Sequence, residues 1–318
     1  MRALLALLVM FAMEAASAQA YPNHPIRLVV PFAPGGSADL VGRLLGAQLG
    51  EALGQQVVVE NRPGASGMIG NEFVAKSAPD GYTLTVGTLG PFAVNATLFD
   101  KQPYDHIRDF APITLTGISS HVLVAHPSVA VENLNDVIAL AKARPGQLAF
   151  ASSGRGNATH LTFELFKGRA GIDIVHVPYK GGGPAMADLV GGQVSFSFAS
   201  MASAVPFVQA GRLRAVAVSG AERSPLFPNV PTVAQSGLPG FASEDWQGIL
   251  APAKTPQDTI MKLNAEIARI LALPEVKSKL ASAGFDAKSS TPQWFGEFIQ
   301  AETVKWAKLL KQSGIRAE

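Results

Sequence analysis

Five short stretches of this 318-residue chain concentrate glycine, hydroxyl and amide groups, and the chemistry they suit is the capture of a small anion. The first holds Phe32, Gly35, Gly36, Ser37 and Asp39; the second, Ser66; the third, Thr88; the fourth, Ser153, Asn157, Thr159 and His160; the fifth holds Tyr179 and runs into Gly181-Gly182-Gly183. Each lies between an apolar, β-type run and a helical pattern. A turn of that kind aims free backbone N–H groups and the positive end of a helix dipole at one spot. Hydroxyls and the Asn157 amide add directed donors. A small carboxylate suits the set, because each oxygen accepts two or more hydrogen bonds from oriented donors without a bulk counter-charge.

Structural roles compete for the same residues. Asp39 reads as a helix cap or structural acceptor, because a carboxylate facing an anion would repel it. Ser37, Ser153 and Asn157 suit capping as well as ligand contact, and Phe32 and Tyr179 suit either a pocket wall or a core. His160, one turn into a helix, reads as a hydrogen-bonding group, since no partnered nucleophile is visible. Enzyme chemistry finds little support: there is no G-x-S-x-G elbow, no G-x-x-x-x-G-K-[ST] phosphate loop and no H-E-x-x-H pair. Gly154-Arg155-Gly156 opens like a dinucleotide fingerprint, but Thr159 stands where the third glycine belongs. The remaining histidines, at 24, 106, 121, 126 and 176, show no metal-ligand spacing. No catalytic residue, metal or cofactor is expected. The alternative is a secreted α/β enzyme, hydrolase-like, using the same cleft with His160 as general base.

The elements that must position these residues follow from periodicity. Leu28 to Val30 is a strand, and Leu40, Val41, Leu44, Leu45 and Leu49 then mark a helix with Ser37 and Asp39 as capping candidates. The pattern repeats at Val57–Val59 and Tyr82–Val86, giving three strand-loop-helix units in the first hundred residues. Phe110 to His126 is rich in β-formers and predicts a long strand pair leaving the first domain. A second domain repeats the grammar, with strands at Leu148–Ala151, Ile172–Val177, Val194–Ala199 and Leu213–Val218. A proline-rich return crossing follows, then a strand at Trp246–Ala251. Two helices close the chain, Pro256 to Leu273 and Pro292 to Gln312, with Thr255 and Thr291 as caps and a proline at each first position.

Composition bounds the setting. Hydrophobic content of 47% with 16% charged residues describes a packed globular protein, and a net charge of +2 with scattered basic residues gives no reason to expect nucleic acid or a lipid surface. Arg2, the apolar run Ala3–Ala12 and the small-residue segment Ala15–Ala20 form a secretory signal, with cleavage after Ala18 or Ala20 both fitting. The run is too short to span a bilayer, which takes roughly twenty residues. No cysteine is present, which excludes disulfides, thiolate metal sites and a cysteine nucleophile. A soluble periplasmic monomer is expected.

Several motifs, in this order, carry a resemblance: Pro31-Phe32-Ala33-Pro34-Gly35-Gly36-Ser37-Ala38-Asp39, Asn61-Arg62-Pro63-Gly64-Ala65-Ser66-Gly67, Ser153-Gly154-Arg155-Gly156 running to His160-Leu161, and Val177-Pro178-Tyr179-Lys180-Gly181-Gly182. Pro228 to Val233, Gly237-Leu238-Pro239-Gly240 and Ala251-Pro252 match as well. Together they resemble the Bug-type extracytoplasmic solute receptors of tripartite tricarboxylate transporters, over essentially the whole mature chain. The resemblance implies an α/β, type II periplasmic-binding-protein fold, two lobes with a ligand cleft between them. The chain divides accordingly into a signal at 1–20, a discontinuous first lobe at 21–120 with 244–318, and a second lobe at 121–243. Closure on a small organic carboxylate and delivery to membrane permease subunits are implied, with the loops matching Phe32–Ser37 and Ser153–His160 facing each other. One departure stands out: the family usually carries acids at the positions of Ser195 and Ala199. Small neutral residues there point to a different ligand, such as a plain or aromatic carboxylate.

Overall fold

The computed structural model describes residues 21–313, so the expected signal segment lies outside the described residues. Strand β1 (Ile26–Val30) is buried over Val29 and Val30 and ends at Pro31. Helix α1 (Ser37–Leu53) follows, with Val41, Leu45 and Leu49 in one buried row. Gly42 lets α1 lie directly on the sheet, since a Cβ there would stand 2.8 Å from Val30 Cγ2. Strands β2 (Val57–Asn61) and β3 (Thr83–Thr88) flank β1, both parallel to it, with α2 (Met68–Ala75) between them in sequence. A π-helical turn (Gly90–Val94) and a one-turn helix α3 (Asn95–Leu98) then lead to β4 (Phe110–Ala125).

Strand β4 ties the two halves together. Its residues Phe110–Ser120 pair antiparallel with β9 (Glu244–Pro252), whereas His121–Ala125 pair with β7 (Phe196–Ser200) and β8 (Arg214–Val218). Helix α4 (Leu134–Ala143) starts from an Asn133–Asp136 capping box. Next come β5 (Ala149–Ser152), α5 (Ala158–Ala170), β6 (Val175–Pro178), α6 (Gly182–Val190) and, after β7, α7 (Met201–Gln209). Strand β5 pairs parallel to both β6 and β7. The strand order is β2-β1-β3-β9-β4-β7-β5-β6, with β8 and the short β10 (Phe285–Ala287) attached to β4. Helices α8 (Gln257–Ala272), α9 (Pro274–Ser282) and α10 (Pro292–Ser313) return to pack on the first half.

Where the predicted elements differ, the physics is local. The stretch at 110–126 is one 16-residue strand, not a pair. Its partners lie more than seventy residues away in sequence, so nothing nearby announced a single unbroken run. Helix α8 starts at Gln257 with Pro256 at the cap position, and Thr255 Oγ1 donates instead to Pro252 O at 2.8 Å. Thr291 does receive the Trp294 N–H, at 3.2 Å. Helix α9 and strand β10 were not foreseen. The core of the second half is aromatic: Phe150 stacks on Phe163 at 3.8 Å, and Phe163, Phe166 and Phe198 meet edge to face.

Candidate functional site

The carboxyl ends of β1 and β3 on one side, and of β5 and β7 on the other, open into one cavity enclosing about 600 Å³, its mouth included. Its lining includes Phe32, Gly36, Ser37 and Ala38 from the turn after β1, and Thr88 from the end of β3. Facing them are Ser153, Asn157, Ala158 and Thr159, then Gly182, Ala185 and Met186. Four helices, α1, α5, α6 and α7, begin at this cavity, and none has its N-terminus capped by a side-chain hydrogen bond. Their first-turn N–H groups are therefore not consumed by caps. No lysine or arginine lines it.

The halves touch through glycine. Ala33 N–H donates to Lys180 O at 2.9 Å across the gap. A Cβ on Gly183 would lie 2.2 Å from Pro34 O, and one on Gly181 would lie 2.9 Å from Ala33 N. Gly35 and Gly36 lie against Gly183 and Gly182, with built Cβ atoms at contact distance, 3.4 Å, from Gly183 Cα and Gly182 N.

Of the sequence-predicted residues, Phe32, Gly36, Ser37, Thr88, Ser153, Asn157, Thr159 and Ala199 line this cavity together. Ser66 and Tyr179 line an adjoining hollow of about 500 Å³ that shares Phe32 and Ser153 with the first and carries Arg155 and Lys180. Tyr179 Oη donates to Asp188 Oδ2 at 2.6 Å, and burial together with that carboxylate pushes its phenol up to about 12. Gly35 sits at the contact between the halves. Asp39 turns away: its oxygens accept from Gly35 N–H (3.1 Å) and Asn61 Nδ2 (2.9 Å), and it pairs with Arg43 at 2.9 Å. Burial disfavours its charge, but the hydrogen bonds from Arg43, Asn61 and Gly35 outweigh that and hold its pKa below the usual carboxylate value. Ser37 is the first residue of α1, after the Gly36 cap, so it caps nothing.

His160 is a packing and hydrogen-bonding residue. Its Nδ1 accepts Gly156 N–H at 3.1 Å, and its ring stacks on His176 at 4.1 Å between centroids. His176 Nε2 meets Ser152 Oγ at 2.6 Å. Burial first, then Lys167 and Arg155, lower His160 to about 4, so it stays neutral; His176 falls further, to about 2, through burial, His160 and the same cations. Among the described residues no hydroxyl is hydrogen-bonded to His160.

Five polar lining residues had no warning in the sequence motifs: His121, Ser197, Ser200, Ser203 and Asp245. Ser197 Oγ donates to Ala151 O at 2.9 Å, and the hydroxyls of Ser200 and Ser203 bond each other. The three serines, though outside those motifs, give the β7–α7 junction the same density of hydroxyls as the other loops. His121 and Asp245 sit inside the two crossing strands, where no motif marks them. Burial lowers His121 to about 4, and its Nδ1 meets Thr162 Oγ1 at 3.4 Å.

With this geometry the comparisons with known proteins agree. The model of the tripartite tricarboxylate transporter family receptor matches residues 41–315. Protein BugT of Bordetella pertussis is 40% identical over 301 residues, covering 94% of this chain and 92% of that protein. The solved structure of R. palustris Rpa4515 with adipate superposes with a TM-score of 0.91 at 35% identity, covering 93% of this chain and 99% of that one. MatC (Rpa3494) from Rhodopseudomonas palustris with bound malate gives 0.87 at 33% identity, over 91% and 100%. The two-lobe α/β receptor fold, the helix ends turned into one cleft and the match along nearly the whole chain establish that this protein belongs to the tripartite tricarboxylate transporter receptor family.

Proposed function

We propose that the protein captures a small organic carboxylate in the interlobe cavity and hands it to the membrane permease of a tripartite transporter. One observation carries this reading: four helix N-termini without side-chain caps converge on a single hollow lined by hydroxyls and no cation. That donor set stabilises a carboxylate and offers no nucleophile-base pair for chemistry. Contact residues on this reading are Gly36, Ser37, Thr88, Ser153, Asn157 and Thr159, with Phe32 and Ala199 as walls. Ser66 and Tyr179 shape the entrance, while Gly35, Asp39 and His160 hold the loops in place. Relatives observed with adipate and with malate support the ligand class.

The lobes divide, on this reading, at 120/121 and 243/244, where β4 exchanges β9 for β7 and β8 as partner. Arg155 and Lys180 at the outer hollow attract the anion before capture. Among the described residues no helix is long and apolar enough to cross a membrane. A monomer exported through a signal cleaved after Ala18 or Ala20 completes the proposal; intact mass of the exported protein checks the cleavage site, and light scattering the monomer. A thermal-shift screen over mono-, di- and tricarboxylates, aromatic acids included, followed by calorimetry, tests the ligand class. Indifference to every carboxylate in the screen would sink it.

A further inference from the structure

Among the described residues Asp245 is the one acidic or basic side chain of the cavity lining, Lys, Arg, Asp and Glu considered together. It is 8% exposed. Its Oδ1 accepts Trp246 N–H at 2.9 Å, a further backbone bond comes from Leu89 N–H, and it forms no ion pair among the described residues. An ionised carboxylate takes about four hydrogen bonds, so these two leave acceptor capacity on a residue that lines the cavity. Asn157 lines the cavity from the lobe opposite: its Nδ2 donates to Ser153 O at 3.0 Å, while its Oδ1 is buried beside Gly90 with no hydrogen-bond partner among the described residues. The acid expected by family resemblance at Ala199 is missing, yet β9 brings one into the same cavity from the crossing strand.

We infer that Asp245 is the specificity-determining residue of this receptor, selecting carboxylates that carry a hydroxyl or ammonium donor over plain ones. The inference rests on the carboxylate reading of the cavity and deepens it. The helix ends hold one pole of the ligand, and Asp245 reads a donor on the other. A plain acid would leave a buried negative charge facing unpaired, or require it to be protonated first. The titratable and charged groups around Asp245 are His121 on the cavity side, and Glu244, Glu302 and Lys305 lining the hollow behind it. Burial, with Glu302 adding to it, pushes the Asp245 carboxyl up to about 7 against the two backbone bonds, so its protonation state is poised to respond to what binds.

The test uses matched sets by calorimetry on the mature protein: propionate, lactate and alanine; succinate, malate and aspartate; phenylacetate, mandelate and phenylglycine. In whichever set binds, the hydroxyl- or ammonium-bearing member should bind at least ~10-fold tighter than the plain one. Asp245→Asn, which keeps the shape but swaps an acceptor for a donor, should remove that advantage while leaving the unliganded melting temperature within a few degrees. A second readout needs no variant. In buffers of different ionisation enthalpy near pH 7, a donor-bearing ligand should release up to about half a proton, whereas a plain acid should take up a similar amount. Equal affinities within a set, or an equal loss for all members in Asp245→Asn, overturn the inference. Greater proton release with the plain acid than with its donor-bearing partner also overturns it. Binding by no member of any set, together with indifference to the wider carboxylate screen, would instead overturn the carboxylate reading itself.

Discussion

Asp39 shows how a motif residue can brace a loop without lining the cavity beside it. It receives the Gly35 N–H and the Asn61 amide and pairs with Arg43, so it fixes the shape of the turn that presents Gly36 and Ser37. Its native pKa is depressed, so its contribution is complete above the unfolded carboxylate value, about 3.9, and disappears as pH falls through the native value. Asp39→Asn should cost about 1–3 kcal/mol in urea unfolding at pH 7, and the gap to wild type should close in acid. The buried histidines act in a separate window. His121, His160 and His176 have native values of about 4, 4 and 2, so between about 6.5 and those values the unfolded chain binds protons that the native chain does not. Each removes up to about 1.4 kcal/mol per pH unit on acidification. Asp245, raised to about 7, works the other way and gains stability as pH falls toward 4. Net stability should still decline below pH 6.5, and His160→Gln should flatten that decline. The structural roles of Asp39 and His160 were legible because each follows a loop by a fixed number of residues. Asp245 was not, because it lies within a strand and meets the cavity only through pairing with β3 and β4, distant in sequence.

Elements were legible where the period was local and lost where the partner was remote. The alternation of apolar strand, small-residue loop and amphipathic helix places β1, β2, β3, β5, β7 and β8 within a few residues of their observed ends. Strand β4 was misread as a pair for want of any local partner, and β10, three residues long, has too little sequence to show a period. At the crossing, Ser219 Oγ accepts His121 N–H at 2.8 Å and donates to Ser243 O at 2.6 Å. Thr162 Oγ1 meets Ser243 Oγ at 2.7 Å. Ser219→Ala strands a buried backbone donor and acceptor and should cost about 1–3 kcal/mol by denaturant unfolding. The loop-to-helix contacts make a sharper forecast. Gly183→Ala places a methyl against Pro34 O across the gap, at the start of α6 where alanine is otherwise welcome. It should weaken ligand binding ~10-fold or more with little change in the unfolding midpoint of the unliganded protein. Unchanged affinity would place the closing contact elsewhere.

On the scale of the whole molecule, we propose that the two α/β halves joined by β4 and β9 move as bodies, with bending confined to Ser119–Val122 and Phe241–Trp246. A ligand drives that motion only through contacts better made when the lobes meet. Small-angle scattering should therefore show a smaller radius of gyration with bound carboxylate than without. The same titration on Gly183→Ala should show less compaction. The overall architecture was readable from the order of motifs; the actual apposition of backbone on backbone was not, because sequence records glycine but not what glycine is making room for.

Those bare contacts between Gly35-Gly36 and Gly182-Gly183 have a consequence for how such a chain can change. The surfaces that shut on one another are main chain, identical whatever side chains the hollow displays. Selectivity can thus drift, or be rewritten by an engineer building a fluorescent biosensor, at Asp245, Ala199 or Met186 without refitting the clasp that reports occupancy.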